Sequence, residues 1–525
     1  MSFPLYRIED SGRMGRRSFV TLTGSLLTAA AWSSRAFGRV LSQPKFSDNP
    51  FQLGVASGDP KSDGVVIWTR LAPKPLEGGG APAEPIEVSW QVADDEQMTK
   101  VVQKGTVVAV PDWAHSVHVE VEGLQPDRWY WYQFRAGDEV SPKGRTRTMP
   151  PADKAADRLR FAFASCQHFE TGLFTAYEHM LKENLDLVIH LGDYIYEKAG
   201  RDNLVRRHVG PKLNSLADYR NRYAQYKSDA ALQAAHQAAP WIVTWDDHEV
   251  ENNYAGFTPE DARATAEQFR AQRACAYKAY YEHMPLRRSS LPNGPDMPLY
   301  RRISFGRLAD FYVLDTRQYR TDQPCGDGVK LPCPAVDDPQ ATILGEAQRK
   351  WLLDGLAASA SNWNVLAQQV MVARVDLTLG DAVGYSMDKW TGYEADRRRL
   401  LKHLHDRKIS NPVVLTGDIH NNWANELIAD FDKLESAVVG AEFVGTSISS
   451  GGDGYREPPN LSARLAENPF VKFFNNERGY VVCEVTPKQW RTDYRTIEYV
   501  TRPGAPLNTR ATYVLEDGKS TLNKA

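Results

Sequence analysis

Cysteine is scarce. Five in 525 residues are too few for disulfides to form the framework of a chain this long. Neither charge sign dominates: 63 Lys and Arg against 66 Asp and Glu leave a formal net charge of -3. A stable nucleic-acid partner is therefore not expected, although local basic residues could still meet an anionic substrate. There is no internal repeat, no low-complexity tract, and no heptad run or long apolar helical face, so a monomer is the default expectation. What is present is an ordinary globular composition, 25% charged and 42% hydrophobic. The length exceeds what one ordinary core accommodates, and two domains are the starting expectation.

The amino terminus carries Gly15-Arg16-Arg17-Ser18-Phe19-Val20, an uncharged run to Trp32, and then Arg35-Ala36-Phe37-Gly38. Paired arginines, a short weakly apolar segment and small residues at a cleavage-like site read as a twin-arginine export signal over 1–38. The run is too short for a stable membrane span, and no transmembrane segment is expected in the mature protein. The reading implies the twin-arginine export machinery as a partner and a periplasmic or secreted destination. Such substrates leave the cytoplasm folded, which suits a protein that acquires its metal there.

From 46 to 150 the pattern is all strand. Gly64 to Thr69, Ile86 to Val92, Ser116 to Val121 and Trp129 to Phe134 carry the apolar alternation of half-buried strands, with turns between. That spacing suggests a β-sandwich, and Val119 to Pro126 followed by Tyr130 and Tyr132 resembles a fibronectin type III domain. Thr148 to Lys154, stiffened by prolines, reads as a linker. Beyond it strands alternate with helices, the signature of α/β organisation, here placed at 158–505. Expected helices cover Leu216 to Ala239, Pro259 to His283 and Tyr393 to Lys408, and 506–525 is expected to be a polar, mobile tail. Cys325 and Cys333 flank a loop containing Gly and Pro and could bridge or remain free thiols.

The α/β region is organised around Asp186-Leu187-Val188-Ile189-His190-Leu191-Gly192-Asp193-Tyr194-Ile195-Tyr196-Glu197. A short apolar run stopped by Gly-Asp reads as a buried parallel strand, and ligands in such sheets sit outside the carboxyl ends of strands. Three other strand-like runs end comparably: Leu159 to Ala164 before Cys166, Trp241 to Trp245 before Asp246, Asp247 and His248, and Pro412 to Thr416 before Asp418 and His420. One such end would be a capped turn. Four in one core would repel and desolvate one another unless a cation held them together. Thiolate and phenolate favour a trivalent transition ion, whereas carboxylates make the remainder of the site hard and suited to calcium.

These motifs resemble the calcineurin-like metallophosphoesterases, with Gly192-Asp193-x-x-Tyr196 similar to the purple acid phosphatase version. Cys166, Asp247 and Asp418 depart from the usual acid, asparagine and histidine. With Ser165-Cys166, Trp245 to Glu249, Asp315-Thr316-Arg317 and Gly417-Asp418-Ile419-His420, the set resembles the PhoD-type alkaline phosphatases over nearly the whole chain. The resemblance implies a metallophosphoesterase-type β-sandwich core flanked by helices and behind a fibronectin type III-like domain. It also implies Fe3+ with one or two Ca2+, and hydrolysis of phosphate monoesters and diesters by a metal-activated water or hydroxide. Cys166 and Tyr196 would bind iron, Asp193 would bridge, Asp247 and Asp418 would hold the harder ion, and His420 would complete the site, with Asp246 a rival to Asp247. Arg317 would spread charge on the phosphoryl oxygens, and His248 would protonate the leaving group or hydrogen-bond a phosphoryl oxygen. A purple-acid-type phosphatase with two transition metals and a non-catalytic exported binding protein are the alternatives.

Overall fold

The computed structural model describes residues 40–200 and 202–525; the export signal expected over 1–38 lies outside the described residues. Two sheets pack face to face. The first runs from strand Val471–Val485 through Leu159–Ala164, Leu187–His190 and Trp241–Val243, the last three mutually parallel. The second runs through Ala309–Val313, Trp363–Ala367, Pro412–Thr416 and Val438–Val444, all parallel, and ends on antiparallel Asn422–Ile428. Strand Val471–Val485 belongs to both, pairing Phe474 with Trp423 in one sheet and Val481 with Phe163 in the other.

Both faces of these strands are covered, which is why they read as continuous apolar runs. Phe161, Phe163, Leu187 and Ile189 enter the core between the sheets with Phe311, Val365, Val413 and Phe443. Their chain neighbours Ala162, Ala164 and Val188 face outward, onto a layer that includes Tyr177, Tyr219, Tyr223 and Tyr277. On the other outer face Leu352, Leu356, Leu400 and Leu404 from helices Gly345–Ala357 and Glu394–Asp406 cover the second sheet.

Several expected elements change shape. The helical stretch from Leu216 divides into Leu216–Lys227 and Ala230–Ala238, because Asp229 leaves the helical conformation and accepts hydrogen bonds from the amides of Ala231 and Leu232. The helix expected from Pro259 begins at Ala266, behind a capping box made by Thr265 and Gln268. The tail expected to be mobile is instead strand Leu507–Glu516, paired along Gln489–Ile497, with Ala511, Tyr513 and Leu515 turned into the core. Its alternation supplies a buried face despite its polar composition. Cys325 and Cys333 are joined as a disulfide.

The amino-terminal region is a sandwich, as expected, but one of its sheets is not its own. Strands Ile86–Ala93, Val101–Ala109 and Trp129–Ala136 form the outer sheet. The inner sheet, Val55–Gly58 with Gly64–Arg70 and Ser116–Glu122, continues into the first catalytic sheet through a parallel pairing of Gly58 with Trp241. A Cβ on Gly58 would lie 2.6 Å from the carbonyl oxygen of Pro285 and 2.7 Å from that of Trp241, so the junction requires glycine. No helix among the described residues is long and apolar enough to cross a membrane.

Candidate metal centre

The strand ends converge as their spacing suggests, through a local device the sequence conceals. Cys166, Asp193, Asp418 and His420 take φ of 60°, 55°, 66° and 58°. Non-glycine residues hold this left-handed conformation only where surroundings enforce it. The Cys166 amide donates to the Gly192 carbonyl at 3.1 Å and the Gln167 amide to that of Asp193 at 3.1 Å. The Glu249 carboxylate accepts from the amides of Asp193 at 3.1 Å, Tyr194 at 2.5 Å and Asp246 at 2.8 Å, tying two strand-end loops together. At Gly192 a Cβ would meet the Asp246 nitrogen at 2.3 Å. These loops approach closely because Gly192 has no side chain.

Three overlapping groups result. Donor atoms of Cys166, Asp193 and His420 lie within 4.8 Å of one another, as do those of Asp193, Asp247 and His248, and of Asp246, Asp247 and Asp418. Asp193 and Asp247 each belong to two groups, so the array is continuous. The Tyr196 hydroxyl donates to Asp193 at 2.8 Å, lies 3.2 Å from Nε2 of His420 and accepts from Ser450 at 2.7 Å. Asp246 stands in the cluster beside Asp247.

Arg317 is fully buried and faces carboxylates. Its guanidinium donates to Asp246 at 2.5 Å, Asp388 at 2.9 Å and Asp418 at 3.2 Å, and lies 3.6 Å from Asp247. Lys389 pairs with Asp418, and Arg320 with Asp388. Nδ1 of His248 sits 2.7 Å from Glu197, and its ring lies 4.2 Å from that of Tyr196. Among residues flanking the motifs, Tyr194 hydrogen-bonds His236 at 2.9 Å, His190 stacks on Trp241, and Trp423 packs edge-on against Phe474. His168 lies 4.4 Å from the Tyr196 ring and forms a separate group with Glu170 and His208.

Asp388, Lys389, Glu197 and Ser450 were not picked out as site residues in the sequence. Glu197 closes the organising stretch and had a positional signal. Asp388 and Lys389 follow no long strand, and Ser450 reaches Tyr196 across 254 positions of chain.

Burial governs the electrostatics. It pushes the Cys166 thiol and the Tyr196 phenol well up, with the Asp193 charge adding to both. Asp193 is raised by burial and then by Asp247 and Asp246, against the pull of His248. Burial lifts Asp246 to about 6 despite Arg317. At Asp247 burial is outweighed by Arg317 and His248, which hold it at about 2. Burial opposes charge on His248, but Glu197, Asp247 and Asp193 raise it well above the ordinary imidazole range.

The donor set fits cations. Oδ1 of Asp193 and Oδ2 of Asp246 are buried with no hydrogen-bond partner among the described residues, and such atoms are costly without a counter-charge. A cation in the array would stabilise the thiolate, phenolate and carboxylates that burial alone disfavours.

The helix-flanked pair of sheets, with this chemistry at the ends of their parallel strands, is the arrangement expected of a metallophosphoesterase. The amino-terminal sandwich and the cysteine narrow the assignment further. Residues 161–494 match the PhoD-like phosphatase model and 35–150 match the model of the PhoD-like phosphatase N-terminal domain; the chain belongs to the PhoD-like phosphatase family. It is 52% identical over 519 residues to alkaline phosphatase D of Bacillus subtilis strain 168, covering 97% of this chain and 89% of that protein. A solved structure described as that of PhoD superposes with a TM-score of 0.90 at 53% identity, covering 92% of this chain and 93% of the other. The protein is accordingly a phosphoric ester hydrolase.

Proposed function

We propose that this chain hydrolyses phosphate monoesters and diesters at the array formed by Cys166, Asp193, Tyr196, Asp247, Asp418 and His420, with Fe3+ at the thiol and phenol end and one or two Ca2+ at the carboxylate end. The observation that carries the reading is the continuity of the array, in which Asp193 is shared by the sulfur-containing group and a carboxylate group. Cys166 and Tyr196 supply soft and polarisable anionic donors, and His420 stands beside them; Asp246, Asp247, Asp388 and Asp418 supply hard oxygens. Bound there, the ions would supply Lewis acidity and a water acidified from ~15.7 towards ~7.

The remaining work belongs to the chain. Glu197 fixes the His248 ring through Nδ1, which leaves Nε2 to carry a proton to the departing alkoxide. Arg317 keeps Asp246, Asp388 and Asp418 in place, and a guanidinium set among them contributes positive charge to the wall facing the phosphoryl oxygens. The low-dielectric surroundings strengthen both effects. Export by the twin-arginine route to the periplasm or medium completes the proposal, as it delivers the array already folded.

The test is elemental analysis and a visible spectrum of protein exported by its native route, with turnover of p-nitrophenyl phosphate and its bis ester. Iron with calcium, and a charge-transfer band lost in Tyr196→Phe, is the expected result. Active protein without iron would remove the assigned roles of Cys166 and Tyr196.

A further inference from the structure

Beside the array lies a cavity of about 250 Å³ lined by Met371, Val375, Leu377, Ile419, Trp423 and Phe474, with Lys389 and Arg464 as its cationic members. It is built from the loops that carry the array. Ile419 stands between Asp418 and His420, and Lys389, whose ammonium pairs with Asp418, lines the cavity with its neighbour Thr391. The Trp390 amide donates to the Met371 carbonyl at 3.2 Å, tying the Asp388-Lys389 loop to the apolar wall. That wall is rigid: the amides of Val372 and Ala373 donate to the buried Glu442 carboxylate at 2.7 and 3.0 Å. Trp423 and Phe474 pack edge to face with centroids 4.6 Å apart. The rim holds Val329 and Tyr455, each about half exposed, and Val329 sits in the loop closed by the Cys325–Cys333 disulfide.

Nothing in the hydrolysis of a small monoester uses this space. We propose that it receives the second ester substituent of a phosphodiester, and that the preferred substituent is an aromatic or compact branched apolar group. The proposal deepens the function above and rests on it. Its basis is the junction: one side of the cavity is the Asp418–His420 turn, and the cation there, Lys389, is suited to a phosphoryl oxygen, so a group entering the cavity would be attached to a phosphorus at the array. An apolar cavity of about 150 Å³ holds benzene, so this one admits a substituted ring or a short branched chain. Arg464, whose Nε has no partner among the described residues, leaves room for one acceptor at the distal edge.

The experiment is calorimetric titration of the exported, metal-loaded protein with phenylphosphonate and with methylphosphonate, which have no leaving group to occupy the cavity. Phenylphosphonate is expected to bind about tenfold tighter or more, the low end of what burying a Phe-sized group is worth. Leu377→Trp at the rim and, independently, Ala373→Leu in the wall fill the space and should bring the ratio close to one, in protein that keeps its metal and its thermal transition. A ratio near one in the unaltered protein, a ratio unchanged in both folded variants, or binding of neither phosphonate overturns the proposal. Turnover of p-nitrophenyl phosphate is measured in parallel. Turnover without a phenyl preference sinks the cavity assignment and leaves the phosphatase reading; a phenyl preference without turnover does the reverse.

Discussion

At the scale of single residues, His248 makes the most exposed commitment. Its ring is held by Glu197 and packed on Tyr196, and the surrounding carboxylates favour its protonated form, so its value depends on how badly the leaving group needs a proton. His248→Ala should cost about 10²-fold or more on alkyl phosphates and much less on p-nitrophenyl phosphate; equal losses on both would remove the acid role. The residues that form the array were legible in the sequence because each follows an apolar run by one to five residues. The supporting set was not. Arg317 was read as spreading charge on the phosphoryl oxygens, yet three carboxylates hold it, one of them Asp388, 71 positions along the chain and beyond any local pattern.

At the scale of elements, helix Leu216–Lys227 ends on a buried lysine whose ammonium lies 4.3 Å from the Trp68 ring and 5.5 Å from that of Tyr194. Burial alone lowers Lys227 to about 7. The unfolded chain holds this proton up to ~10.4, so between these values the unfolded state binds more protons and stability rises with pH. Below pH about 7 the full cost of the buried charge is present. Thermal unfolding should therefore show a gain on going from pH 7 to 10 that is diminished in Lys227→Met, a variant also more stable at pH 6; a parallel pH profile in the variant would refute the assignment. The sequence showed this helix through its length and polarity, but not its break at Asp229, because capping depends on which amides remain free. The closing strand was misread for a related reason. Leu507–Glu516 is polar on one face only, and a partner strand is needed to make that face count.

At the scale of the molecule, the two units seen in the sequence share a sheet. Asp59 pairs with Arg301 at 2.6 Å and Glu120 with Arg287 at 3.0 Å across the same junction, and Trp68 covers Lys227. A chain beginning at residue 151 would bare the edge of strand Trp241–Val243, and unpaired edges of this kind recruit other chains. It should aggregate or lack a cooperative thermal transition in size-exclusion and melting experiments; a monodisperse, cooperatively melting fragment would show the sandwich to be an independent appendage. The shared strand Val471–Val485 has a different consequence, one of timing. Ribosomes deliver residues in order at ~5–20 per second, so Cys166 and Asp193 emerge long before the segment that joins the sheets around them. Arg478, on that late strand, donates to the His420 carbonyl at 2.8 Å and to Ser450 at 2.8 Å. The array therefore stays open until nearly the whole polypeptide has been made, and it closes only in the moments around release.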